Sequence, residues 1–115
     1  MNEKGSKFYD IQDSRRIFGS ELELHRFLKT LLIKRHRVYE LKHSRGELVP
    51  YHSHAVPEMI LVLEGKMRLI IEEDIVDLAE GEMITIQPHA IHLAAFPFDG
   101  GARFYLCTPG KNSAD

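Results

Sequence analysis

Cysteine is almost missing from this sequence: among 115 residues there is one, Cys107. A lone thiol cannot close an internal disulfide, so packing must hold the fold. No apolar run approaches the ~20 residues needed to span a bilayer. The opening stretch MNEKGSKFYDIQDSRR also lacks the apolar segment of a secretory signal. A cytoplasmic protein without a membrane partner is therefore the expectation. Charge of one sign is not in excess either, since 15 basic and 17 acidic residues leave a formal net charge of -2. Such a balance gives no global attraction for nucleic acid. The length fits one domain with a single core.

What is present is a series of short apolar runs separated by turn residues. Val38 to Leu41 precedes the turn Ser44-Arg45-Gly46, and Leu48 to His54 follows it. Met59 to Leu63 leads into Glu64-Gly65, which reads as a tight hairpin returning through Lys66 to Ile71. Met67, Leu69 and Ile71 alternate with Lys66 and Arg68, the pattern of a half-buried strand. The polar turn at 72–74, a strand from Ile75 to Leu78, the turn Glu80-Gly81 and the runs Met83–Ile86, Ile91–Phe96 and Ala102–Cys107 complete the set. This spacing predicts an all-β sandwich or barrel.

The N-terminal third is less regular. Tyr9 to Gly19 is polar and takes no firm assignment, and residues 20–33 support two readings. Ser20 with Glu23 forms a capping-box pattern, and Leu24, Phe27, Leu28, Leu31 and Leu32 recur at helical spacing. Leu22 and Leu24, however, alternate with charged neighbours as a strand would. The expected division is an N-terminal extension over 1–19, a barrel over 20–108 and a C-terminal tail over 109–115.

The chemistry is concentrated between Gly46 and Gly65. His52 and His54, two positions apart on an extended strand, share a face and can grip one ion. Glu58 can reach the same side after the bend at Pro57. Imidazole with carboxylate suits a divalent transition metal such as Fe, Mn, Ni, Zn or Cu. A fourth ligand is expected at His92, which begins a strand after a proline-containing bend. Parity ties this set to the core: with Glu58 inward, so are Ile60 and Val62, and with His92 inward, so are Ala94 and Phe96.

The residues at these positions resemble the cupin superfamily, whose first motif is G(X)5HXH(X)3-4E(X)6G. Gly46, His52, His54, Glu58 and Gly65 match every fixed position. The second motif, G(X)5PXG(X)2H(X)3N, is matched at Gly81 and His92, while Gln87, His89 and Phe96 replace its proline, inner glycine and asparagine. The resemblance spans roughly residues 37–108. It implies a small jelly-roll barrel, or double-stranded β-helix, in which His52, His54, Glu58 and His92 hold one metal. It further implies dioxygenase, decarboxylase, isomerase or lyase chemistry on a small oxygen-rich molecule.

Two catalytic candidates lie outside the ligand set. Arg37, in the basic segment 34–45, shares parity with Tyr39 and Leu41 and would meet an anionic substrate if that face is internal. His89 could overhang the barrel mouth and move a proton near neutral pH, whereas a plain loop histidine would sit in solvent. Cys107 reads as a small buried hydrophobe rather than a nucleophile. Two non-enzymatic alternatives are a small-molecule binding or sensing barrel and a barrel whose metal only staples strands. No helix-turn-helix follows the barrel, which disfavours a complete regulator. Strands apolar on both faces, among them Met59–Leu63 and Ile91–Phe96, call for a cover and predict a homodimer.

Overall fold

In a computed structural model, which describes residues 7–109, two antiparallel sheets face one another and share a single long strand. The strands among the described residues are β1 (Tyr9–Asp13), β2 (Arg37–His43), β3 (Leu48–His52), β4 (Glu58–Ile71), β5 (Asp74–Ala79), β6 (Glu82–Ile86), β7 (His92–Ala95) and β8 (Ala102–Thr108). The helices are α1 (Ser14–Phe18) and α2 (Glu21–Ile33). The first sheet runs β1-β6-β4-β8-β2 through the first half of β4; the second runs β5-β4-β7-β3 through its second half. This is the expected all-β barrel with an N-terminal helical segment.

The expected hairpin at Glu64-Gly65 is absent, because β4 continues through it. Gly65 does take a left-handed φ of 81°. Instead of reversing the chain, it sits where the β4–β8 register shifts between Val62 and Glu64. A bulge at glycine bends the strand and carries it from one sheet into the other. Only glycine fits there, since a Cβ would run into the carbonyl oxygen of Gly101. The true hairpin is the next one, where Ile71 pairs with Asp74 across Glu72-Glu73.

The barrel is filled by the inward members of each strand. Ile60, Val62, Ile84, Ile86 and Phe104 from the first sheet meet Met67, Leu69, Ile71, Leu78, Ala94 and Phe96 from the second in one buried cluster. The parity expected for β4 and β7 therefore holds. Tyr9 closes a seam between the sheets, its hydroxyl donating to Asp74 Oδ2 at 2.9 Å.

Residues 20–33 form the helical alternative. Ser20 caps α2, its Oγ accepting the Glu23 N–H at 3.2 Å. The reciprocal arm of a capping box is missing, because the Ser20 N–H donates to the Phe18 carbonyl and the Glu23 carboxylate takes Arg26. The segment 9–19, given no structure from its polar composition, instead supplies β1, paired along β6, and α1. The sheet thus begins inside the expected extension, and β8 runs to Thr108. Of the expected extension over 1–19 and tail over 109–115, residues 1–6 and 110–115 lie outside the described residues.

α2 also changes the argument for a cover on the outer face of β4. Leu61 on that face is 1% exposed, and Met83 and Cys107 are buried too. Leu31 of α2 approaches Met59, Thr85 and Cys107 over the same surface. Part of the first sheet's outer face therefore lies beneath the chain's own helix. On the second sheet, Leu48 and Ile75 remain exposed.

Candidate metal centre

Four donor side chains meet at one end of the barrel. His52 ends β3, His92 begins β7 opposite it, and Glu58 begins β4 on the first sheet. β3 stops at His52, so His54 reaches the site from the following loop rather than by strand alternation. The loop is pinned where it matters: the His89 N–H donates to the His54 carbonyl at 2.6 Å. One donor atom from each of His52, His54, Glu58 and His92 lies within 4.8 Å of all the others. Donors at ~2.0–2.2 Å from one ion stand up to about 4.4 Å apart, so the cluster comes within a few tenths of an ångström of the dimensions of a metal site.

The tautomers of two of the rings are set by the backbone. His52 Nδ1 lies 2.8 Å from the Pro50 carbonyl oxygen and His92 Nδ1 lies 2.9 Å from that of Ala90, each two residues upstream. A carbonyl only accepts, so each Nδ1 carries a proton and Nε2 is the nitrogen left to face the site, its lone pair open to a metal once that nitrogen is unprotonated. Nε2 of His54 and of His92 are buried without a hydrogen-bond partner. They do lie 3.0 Å and 3.4 Å from the two Glu58 oxygens. These are ion-pair separations without hydrogen-bond alignment, and the missing alignment is what leaves the nitrogens unsatisfied. Buried polar atoms of this kind are rare and ask for a partner. A divalent transition metal is a partner these residues fit, because imidazole nitrogen and carboxylate oxygen are its donors.

Electrostatics couple the cluster. Burial acts to raise the pKa of Glu58, but His92, then His54 and His52, outweigh it and hold the carboxyl below its ordinary value. Burial acts to lower that of His92, yet Glu58 and the Ala90 carbonyl raise it above the ordinary imidazole value. In the free protein this pair shares charge that a cation would otherwise supply.

Beside the donors lies a cavity of about 280 Å³. Leu41, Val49, Leu69, Ala94, Phe104 and Leu106 form most of its wall, and Thr108 adds a hydroxyl. Neither catalytic candidate lines it. Arg37 has the expected parity, pairing with Thr108 across β2–β8, but β2 is an edge strand and the residue is exposed at the rim. His89 is exposed and holds a left-handed φ of 68°, the backbone its glycine counterpart in the family pattern would adopt. Its visible contribution is the N–H that anchors His54.

Several contributors escaped sequence reasoning. The Pro50 and Ala90 carbonyls have no side-chain signature. Thr108 was assigned to no role, although it continues the inward series Phe104, Leu106.

Comparison with known proteins agrees with this architecture. The cupin domain family matches residues 40–108. The chain belongs to the cupin family. Solved structures superpose on it at low identity. A cupin 2 conserved barrel domain protein from Salinispora arenicola CNS-205 is 16% identical with a TM-score of 0.63, over 70% of this chain and 67% of that one. KdgF from Halomonas sp. is 18% identical with a TM-score of 0.59, over 70% and 75%. The DMSP lyase DddQ from Ruegeria pomeroyi DSS-3 is 18% identical with a TM-score of 0.60, over 66% of this chain but 39% of that one. At these identities the likeness is one of fold. A search of curated proteins gave no match. No helix among the described residues is long and apolar enough to cross a membrane.

Proposed function

We propose that this cupin binds one divalent transition metal through His52, His54, Glu58 and His92 and acts on a small oxygen-bearing molecule. The observation that carries the reading is the pair of buried, unpartnered Nε2 atoms of His54 and His92 beside the Glu58 carboxylate. When bound, a metal in this donor set would act as a Lewis acid toward a ligand oxygen in a low-dielectric pocket. The chain's own residues do the rest. Pro50 and Ala90 fix the ring orientations, the His89 N–H holds the loop, and the apolar wall excludes water from the side facing the core.

A lyase among the structural neighbours is compatible with bond-breaking chemistry, but DddQ lends this chain a fold and not a substrate. A second reading, a barrel that binds without turnover, is favoured by one observation. Apart from the four donors, the described residues lining the cavity offer no acid or base stronger than the Thr108 hydroxyl.

Metal analysis of purified protein tests the core of the proposal. One equivalent in the wild type, with loss in His54→Ala and Glu58→Ala, supports it; retention of metal in both variants overturns it. A chelating ligand that raises the melting temperature of the loaded protein but is not consumed would favour binding over catalysis.

A further inference from the structure

The cavity beside the donors narrows the class of molecule that fits. We infer that the ligand is a single chelating acid head joined to a compact hydrocarbon body, not a polyhydroxylated acid or a dicarboxylate. This rests on the proposed metal reading.

Three observations lead there. First, the wall is apolar on every strand that contributes: Leu41 of β2, Val49 of β3, Leu69 of β4, Ala94 of β7, Phe104 and Leu106 of β8. A sugar-like ligand would bury several hydroxyls against these side chains, with Thr108 as the lone hydroxyl able to answer them. Each buried hydroxyl left unpaired is penalised by desolvation. Second, no lysine or arginine among the described residues lines the cavity. A divalent ion held by neutral imidazoles and one carboxylate keeps one net positive charge, which one anionic head neutralises. A second carboxylate would be buried without a counter-charge. Arg37 cannot supply it inside, since it is exposed at the rim. Third, the volume is about 280 Å³. An apolar cavity of ~150 Å³ already admits benzene, so this one takes a body of at least ring size.

Alkyl hydroxamates test the idea, because their head chelates divalent metals while the chain can be varied. Nickel-loaded protein, its one-to-one metal content checked first, is titrated calorimetrically with acetohydroxamate, butanohydroxamate and hexanohydroxamate. The binding constant should rise about fourfold per added methylene, as expected for ~0.8 kcal/mol of buried CH₂. Gluconohydroxamate, with a similar chain bearing hydroxyls, should bind no more tightly than acetohydroxamate. Ala94→Leu, which fills part of the wall, should move the optimum to a shorter chain; if it fails to fold, the wild-type series still decides. A flat series, absence of binding, or tighter binding of the polyhydroxylated compound by metal-loaded protein overturns this inference alone. Failure of the wild type to take up metal overturns it together with the proposed function.

Discussion

His43 and His92 both project inward from strands and both lie beside a carboxylate, but at opposite ends of the barrel. His43 is complete. Its ring stacks on Phe96 at 4.6 Å and on Phe104 at 5.9 Å, and its Nδ1 meets Glu47 Oε2 at 2.9 Å. Nearby, Gly65 and Gly101 bring three backbone segments together so closely that neither could carry a Cβ. His92 is incomplete: 2% exposed, one nitrogen spent on the Ala90 carbonyl, the other facing Glu58 and two further imidazoles without a bond. The same residue type, on the same face of the same fold, is structure where its ring is stacked and its Nδ1 meets a carboxylate, and a candidate ligand where a buried nitrogen has no partner.

The largest effect should come from breaking the incomplete end. His92→Ala is expected to weaken metal binding by more than about 100-fold, beyond the loss typical of merely removing an outer-shell partner. Equilibrium metal competition measures it. His43→Ala, by contrast, should leave metal stoichiometry and affinity unchanged. Equal losses in both variants would erase the distinction between the two ends.

Next in size is a break in the far end. Gly65→Ala forces a side chain into a left-handed position and against the Gly101 carbonyl. It should destabilise the fold by about 2–4 kcal/mol, read by denaturant unfolding, without removing any donor. The aromatic contacts of His43 predict a smaller loss of about 1–2 kcal/mol for His43→Ala.

How much of this contrast is legible in sequence depends on whether an interaction is local. Met67, Leu69 and Ile71 alternate visibly with Lys66 and Arg68, and they do line the core. The spacing of His52, His54, Glu58 and His92 reflects which strand ends share a barrel mouth, so the cluster could be named before its geometry was seen. Glu64-Gly65 misled because a hairpin and a bulge ask the same thing of glycine, a positive φ. Only the partners β8, β5 and β7 distinguish them, and these are remote in sequence. β1 was missed because YDIQD carries few apolar residues, and its pairing to β6 along one edge supplies what propensity does not. The exposed positions of Arg37 and His89 were beyond parity arguments, which give a face but not a distance from the rim.

The pH dependence of the metal-free protein sharpens the comparison further. Glu58 is held below its ordinary pKa, so its contribution to stability is present above the unfolded-state value and is lost as pH falls through the folded one. His92 is held above its ordinary pKa, so its contribution is present below the unfolded-state value and is lost as pH rises through the folded one. Both are complete between about pH 4.3 and 6.5, the unperturbed values. The melting temperature of the free protein should peak in that window, and Glu58→Gln should flatten both limbs. Metal should reverse the upper limb, because loading requires His92 to give up its Nε2 proton.

The smallest effect belongs to the carboxylate at the satisfied end. Glu47 accepts the Ser44 N–H at 2.7 Å and faces His43, and these contacts, led by the Ser44 N–H, hold its pKa below the ordinary value. It is exposed, so water and salt screen the pairing and can replace it. Glu47→Gln keeps an oxygen for the Ser44 N–H and loses only the charge. Its melting temperature at pH 7 should barely move, and a slight loss should vanish as pH falls through the folded pKa of Glu47, where the wild type also becomes neutral. Metal affinity should be unchanged. A large drop in stability would mean that His43 depends on its carboxylate as His92 does on Glu58, and that the far end is held by charge rather than by aromatic stacking and backbone contact.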